Sequence, residues 1–345
     1  MNNNIFLTPF LTAFFLALVL LLLIVKFFRQ KKIAGTLERK TSRHIHQAGI
    51  SRFGGVGIIL AFVATLLLNK ELVISSQLLG VLMASGAILV FGIFDDLWQM
   101  TWQRQLLFQA GLASFVFLFG IRLTYVTNPF GGIFLFENNF GFLLNFSLVV
   151  FWILLIINAM NWVDGIDGVV GGISVIGALA IFFVSLAPQV NQPPVAIITM
   201  ALLGASLAFL VFNFNPAKIL AGTSGAVFFG FILAILALFA GAKIATTLLV
   251  LAIPVIDATW VILERLGAGE SIFKADQRHL HHRLLALGWS QKKVCLLYWL
   301  ITVLIAIAAL NFGAFGKVAI FLGAVGGMLA FYVFIQRKSN NHIII

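Results

Sequence analysis

Long apolar runs alternate with short polar breaks along the whole chain, and the runs show no polar face of the kind a helix in a water-soluble domain keeps. A helix needs about 17 to 25 predominantly apolar residues to cross the hydrocarbon core of a bilayer. About eleven runs approach that length, at roughly 5–25, 53–69, 77–94, 104–120, 142–158, 168–187, 195–213, 224–241, 244–262, 294–310 and 318–335. The pattern predicts an all-α, polytopic membrane helical bundle of about 11 transmembrane helices, with the short, glycine-led run at 53–69 as its weakest member. Between Arg122 and Phe142 the chain is aromatic, with Asn128, Pro129, Gly131 and Gly132 as turn formers, and a small interfacial hairpin is expected there.

Composition excludes the soluble alternatives. Apolar residues make up 61% of the chain and charged residues 10%, against about 25% charged in soluble domains. The mean hydropathy is +1.09. The single cysteine, Cys295, lies in an apolar run, so neither a disulfide framework nor a cysteine metal site forms within one chain. Of the 22 Lys and Arg, all but Lys70, Arg122, Lys243 and Lys317 fall on one side of the span map. That asymmetry makes this side cytoplasmic and places the N-terminus outside and the C-terminus in the cytoplasm. The first run precedes its positive charges, which suits a retained anchor better than a cleaved signal. Topology therefore accounts for the net charge of +11, and no nucleic acid is expected as a partner. The chain reads as one integral membrane domain over residues 1–345.

Acidic residues are the main chemical clue, because carboxylates near a membrane are expensive. Asp95, Asp96, Asp164, Asp167, Glu264, Glu270 and Asp276 all fall on the cytoplasmic side. Glu264 and Glu270 read as solvated loop charges. Asp257 lies about two turns up the ninth run, after Pro254, where a structural hydrogen-bond network would suit it.

Asp95 and Asp96 end the third run in F-D-D-L-W-Q-M. Such a pair is either a solvated helix terminus or a site for Mg2+ and phosphate, since Mg2+ commonly binds through one or two carboxylates plus substrate phosphates. In N-A-M-N-W-V-D-G-I-D-G, Asn158, Asn161, Asp164 and Asp167 recur every three residues. Gly165 and Gly168 allow the backbone to break there, so that these groups can converge on a polar ligand. A third motif, H-L-H-H-R, puts His279 and His282 on one helical face with Arg283 beside them and Asp276 three residues back. Zinc lacks its usual ligand separations here, a plain amphipathic helix through Leu280, Leu284 and Leu287 is the simple alternative, and contact with an anion is favoured. Lys26, Arg29, Lys31, Lys32, Arg39, Lys40, Arg43 and Arg52 form a basic stretch that either sets topology or attracts anionic headgroups. In N-F-N-P-A-K-I-L-A-G-T-S-G, Asn215 and Pro216 make a turn and Gly222 to Gly225 open the eighth run, where helix-start amides can hold phosphate.

Taken in order, these motifs resemble the polyprenyl-phosphate N-acetylhexosamine-1-phosphate transferases, a family that includes the phospho-MurNAc-pentapeptide translocase. The resemblance covers about residues 39–290, and the histidine motif is closer to enzymes using simple UDP-N-acetylhexosamines. It implies transfer of a sugar 1-phosphate, first of all from UDP-GlcNAc, to undecaprenyl phosphate with release of UMP, in a bacterial cytoplasmic membrane with the active site on the cytoplasmic face. The implied cofactor is Mg2+, with Mn2+ as the alternative ion, and a homodimer is also within the family pattern. By this analogy Asp95, Asp96, Asp164, Asp167, His281 and His282 are catalytic, and Asp95, Asp164 and Asp167 hold the metal. Asn158, Asn161, Lys218, His279, Arg283 and Arg52 bind substrate. Two departures stand out. Thr223 occupies a position where the family usually has a metal-binding aspartate, and Gly49, Ile50 and Ser51 replace a proline-containing run. An alternative is therefore a catalytically impaired homologue that binds a lipid phosphate or a partner membrane protein. A transporter would call for repeated halves and midplane charges, of which only Asp257 is present.

Overall fold

The computed structural model describes residues 4–31, 50–123, 125–128, 130–136, 139–239, 244–272 and 276–342. Lys32, Arg39, Lys40 and Arg43 of the basic stretch, with Gly49 and Lys243, lie outside them. Every predicted run is helical. The helices are α1 (Asn4–Lys31), α2 (Gly54–Leu68), α3 (Ser76–Trp98), α4 (Trp102–Leu118), α5 (Asn139–Val163), α6 (Val169–Leu186), α7 (Pro193–Asn213) and α8 (Gly222–Phe239). They continue with α9 (Ile244–Val250), α10 (Ala252–Gly267), α11 (Leu280–Ala286), α12 (Gln291–Asn311) and α13 (Ala314–His342). The expected hairpin is present as β1 (Tyr125–Thr127) and β2 (Ile133–Leu135), antiparallel with Val126 opposite Phe134.

The protein is thus an all-α polytopic membrane protein. Among the described residues, eight helices are long and apolar enough to cross a bilayer, or nine if α9 and α10 form one span. That pair is bent by 78°. Helix α2 has 15 residues, about 22 Å of helix against a hydrocarbon core of about 30 Å. Helix α4 opens with Gln103, Arg104 and Gln105 and buries Gln109, so its first turns are polar.

The bundle is built around α8, which is apolar on all sides and buried at every position from Ser224 to Leu238. Helices α2, α3 and α5 pack directly on it, α7 joins α1 and α2 on one side, and α13 lies at the lipid-facing margin. Small residues set the distances. A Cβ on Gly55 of α2 would fall 2.2 Å from the Gly225 amide nitrogen, and one on Gly92 of α3 would fall 2.3 Å from the Ser224 Cα. These contacts press α2 and α3 against the first turn of α8, where the polar residues gather. Gly92→Ala should therefore destabilise the protein by about 1–3 kcal/mol through overpacking. Gly86→Ala on the same helix, with nothing within 4 Å of the added Cβ, should leave stability unchanged or raised. Thermal unfolding in detergent compares the two, and equal melting would contradict this packing.

Candidate active site

Asp95 is buried and Asp96 half-buried with its carboxylate shielded, and their compensation differs. Asp95 Oδ1 accepts from the Met100 amide at 2.8 Å and from Gln105 Nε2 at 2.9 Å, and Oδ2 accepts from the Thr223 hydroxyl at 2.6 Å. The carboxylate thereby ties the end of α3 to the starts of α4 and α8. Asp96 accepts from the Thr223 amide, at 2.9 Å to Oδ1 and 3.1 Å to Oδ2. Arg52 Nε stands 3.9 Å from the same carboxylate. Only glycine fits at 222, where φ is +68° and a Cβ would fall 2.0 Å from the Arg52 carbonyl oxygen and 2.6 Å from Asp96 Oδ2. The helix-start amide expected to hold phosphate is thus occupied by the protein's own carboxylate.

Arg52 is held by a neighbouring backbone ladder. The Leu220 amide donates to Ser51 O at 2.9 Å, and the Gly54 and Gly55 amides donate to Leu220 O at 3.0 Å and Ala221 O at 2.9 Å. Its side chain is 40% exposed, so its charge faces both Asp96 and water.

The second motif forms the break between α5 and α6. Asn158 and Asn161 stay on α5, where Asn158 Nδ2 donates to Gln109 Oε1 at 2.7 Å. The helix ends at Val163, and Gly168, with φ +80°, starts α6. Asp167 Oδ2 accepts from Asn215 Nδ2 at 2.8 Å and from the Ala217 amide at 3.0 Å, while its own amide donates to Gln291 Oε1 at 3.3 Å. The Gly168 amide donates to Asn213 Oδ1 at 2.9 Å. Asn213, Asn215 and Gln291 thus position this turn, and sequence reading missed them in that role; the N-F-N-P repeat was the available signal. Asp164 is partly exposed, and no hydrogen bond joins it to another described residue. Desolvation first, then the charges of Asp96 and Asp167, hold its carboxyl well above the usual range, against the pull of Arg52.

The histidine motif does not form the face its spacing suggests. His279 precedes α11, and its Nδ1 lies 2.8 Å from Asp257 Oδ2. His279 and His281, not His282, are the buried members, and a Cβ on Gly165 would fall 2.2 Å from His281 Nε2. Gly165 therefore makes room for a ring pressed onto the Asp164–Asp167 turn. The ring of His282 lies 4.2 Å from that of His281. Arg283, expected to meet an anion, instead donates from Nε to Arg278 O at 2.6 Å and pairs through Nη2 with Glu264. Glu270 likewise pairs with Arg278 at 2.8 Å, so neither glutamate is a simple solvated charge. Lys218 is exposed on the loop before α8.

For a divalent ion the residues fit only in part. Among the described residues, no three or more His, Cys, Asp or Glu converge closely enough to hold a metal. Asp95, named as a ligand from sequence, has both oxygens occupied by protein donors. Asp164, beside Asp96 and Asp167, is the acidic group open to a cation that brings further oxygen ligands on a phosphate.

The fold and this surface define a polytopic membrane protein with a recessed, carboxylate-rich site at the ends of its helices. Residues 78–241 match the family described as Glycosyl transferase family 4. A probable undecaprenyl-phosphate N-acetylglucosaminyl 1-phosphate transferase of Bacillus subtilis (strain 168) is 29% identical, over 86% of this chain and 83% of its own. A decaprenyl-phosphate N-acetylglucosaminephosphotransferase of Mycobacterium tuberculosis (strain ATCC 25618 / H37Rv) is 32% identical, over 84% and 80%. A phospho-N-acetylmuramoyl-pentapeptide-transferase of Limosilactobacillus reuteri (strain DSM 20016) is 27% identical, over 87% and 95%. The chain belongs to this family of polyprenyl-phosphate sugar-phosphate transferases, and it is an enzyme.

His281 gives a test of the site's electrostatics. Desolvation first, then the charge of His282, pushes it from 6.5 down to about 3 in the folded protein, outweighing the attraction of Asp257. A depressed histidine favours the folded state in its neutral form, so between these values the unfolded chain binds more protons and acidification destabilises. Going from pH 6.5 to pH 5 should cost on the order of 2 kcal/mol. His281→Asn should flatten that slope in thermal unfolding followed against pH; an unchanged slope would show that other groups set it.

Proposed function

We propose that this enzyme transfers GlcNAc 1-phosphate from UDP-GlcNAc to undecaprenyl phosphate, releasing UMP, on the cytoplasmic face of a bacterial cytoplasmic membrane. The product would be a lipid-diphosphate sugar for cell-envelope polysaccharide synthesis. The observation that carries the reading is the meeting of Asp96, Asp164 and Arg52 with the Asp167 turn beside the histidine loop. The GlcNAc donor is supported by the names of the Bacillus and Mycobacterium relatives. The charge asymmetry supports an outer N-terminus and a cytoplasmic C-terminus, with α2 and α4 as short crossings completing the expected eleven within one membrane domain.

In this reaction an oxygen of the lipid phosphate attacks the phosphorus next to the sugar, and the bond from that phosphorus to the UMP oxygen breaks. Two anions must approach, so their repulsion needs an offset. Arg52, fixed by its backbone ladder and by Asp96, supplies one permanent positive charge. Mg2+, or Mn2+ in its place, would be held by Asp164 and Asp167 with the donor's phosphates and would stabilise negative charge on the transferring group. Asn158 and Asn161 would contact the nucleotide end, His282 and Lys218 would supply donors to phosphate oxygens, and His279 would meet the lipid phosphate. Arg283 braces the histidine loop through Glu264 and is not a direct phosphate ligand.

Purified protein given undecaprenyl phosphate, Mg2+ and UDP-GlcNAc should release UMP, and Asp164→Asn should lower kcat/KM about 100-fold or more by removing a carboxylate ligand of the cation at the transferring phosphate. Thr223→Asp should shift the Mg2+ dependence to lower concentration, because it adds a carboxylate to a site that now has a hydroxyl there. No UMP from the native chain with any UDP-N-acetylhexosamine would refute the reading. Turnover in Thr223→Asp alone would identify the chain as an impaired homologue.

A further inference from the structure

Asp257 stands apart from the cytoplasmic carboxylates. It lies on α10, within the bent pair, and is 1% exposed. A carboxylate at that depth is costly unless its partners are complete. Its Oδ1 accepts from the Leu280 amide at 2.8 Å and from the Tyr332 hydroxyl of α13, and its Oδ2 faces His279 Nδ1 at 2.8 Å. A carboxylate only accepts and the Leu280 amide only donates. The proton between Asp257 and His279 therefore sits on Nδ1, which leaves Nε2 as the ring nitrogen available to a ligand.

The surroundings place that ring at the site. His279 lies 5.9 Å from Trp162, two residues before Asp164, and stacks at 5.7 Å on His281, whose Nε2 abuts Gly165. A brace alone needs no buried carboxylate here, because Arg265 already ties this loop down. Its Nε and Nη2 meet Asp276 at 3.1 and 3.0 Å, and its Nη1 donates to Ile272 O at 2.6 Å. An apolar pair at 257 and 279 would pack at no desolvation cost. What the carboxylate adds is control of the tautomer and orientation of one histidine, as in sites where a carboxylate behind an imidazole directs its outer nitrogen.

We propose that Asp257 is a positioning residue for the transfer reaction, holding His279 in its Nδ1–H form so that the unprotonated Nε2 can accept the proton of the attacking lipid phosphate as its oxygen bonds to the donor phosphorus. The proposal rests on the transferase reading given above. Asp257→Asn in the full-length protein keeps an oxygen for the Leu280 amide and Tyr332 but turns an NH2 toward Nδ1, which inverts the tautomer. The expected result is a fall in kcat of about 10- to 100-fold, with KM for UDP-GlcNAc within about twofold, because the nucleotide contacts are untouched. The 15N spectrum of histidine-labelled protein, with His279 assigned by its loss in His279→Gln, should move from Nδ1–H to Nε2–H. Asp257→Glu should recover part of kcat, and Asp257→Asn should add nothing to the loss in His279→Gln.

Tyr332→Phe removes one donor and leaves the tautomer, so it should lower thermal stability while keeping kcat within a few-fold. Equal kcat losses in Tyr332→Phe and Asp257→Asn, in step with lost stability, would reduce Asp257 to a structural residue. So would a His279 signal that does not move in Asp257→Asn. If the native protein releases no UMP, the transferase reading fails separately, and the 15N shift still upholds or overturns the Asp257–His279 pairing.

Discussion

A negative charge at the end of an apolar helix has to be compensated before anything else at this surface can form. Asp95 and Asp96 are adjacent, their carboxylates are shielded from water, and they would repel each other if left alone. The start of α8 meets both, with the Thr223 hydroxyl on one and the Thr223 amide on the other. That contact is only reachable because Gly92 and Gly222 let α3 and α8 approach to a distance no side chain would allow. The site is therefore a consequence of close helix packing, and the packing is held in place by hydrogen bonds to the carboxylates.

Thr223 changes the charge of this centre without opening a gap in it. Its hydroxyl completes Asp95, which fixes α3 to α8 and to the Gln105 amide of α4. The remaining negative charge falls to Asp96, Asp164 and Asp167, with Arg52 opposite. A ligand set with one fewer carboxylate leans more on oxygens brought by the substrate, which is how Mg2+ is commonly held where phosphates react.

Much of this was legible in the sequence, for reasons that also explain the misses. Apolar runs fix where helices form in a bilayer, and all the predicted runs are helical. Run length already marked 53–69, the 15-residue α2, as the weakest member, but it does not report a change of helix direction, which is why the bend between α9 and α10 escaped it. The motifs marked the correct loops, but i, i+3 spacing misassigned their faces. His279 turns to Asp257, 22 positions away, and Arg283 turns to Glu264, 19 positions away. Asn213 and Asn215 act through the α5–α6 turn, more than 40 positions before them. Such contacts belong to the tertiary fold and have no local period.

The segment between α10 and α11 shows how bracing and chemistry divide the charges. Asp276 is partly exposed; burial would raise its carboxyl, but hydrogen bonds from Arg265 and the Arg278 amide, with both arginine charges, hold it below the usual range. Arg278 also meets Glu270, and Arg283 meets Glu264. Pairs that keep contact with water contribute little stability singly, about 0–1 kcal/mol. Their value here is geometric, since together they fix the path of the chain from α10 to α11 and so the approach of three histidines to the Asp164–Asp167 turn. Charges that close on one another brace the loop, and those that keep a face open, Arg52 and Asp164, are the ones left for a phosphate and its cation.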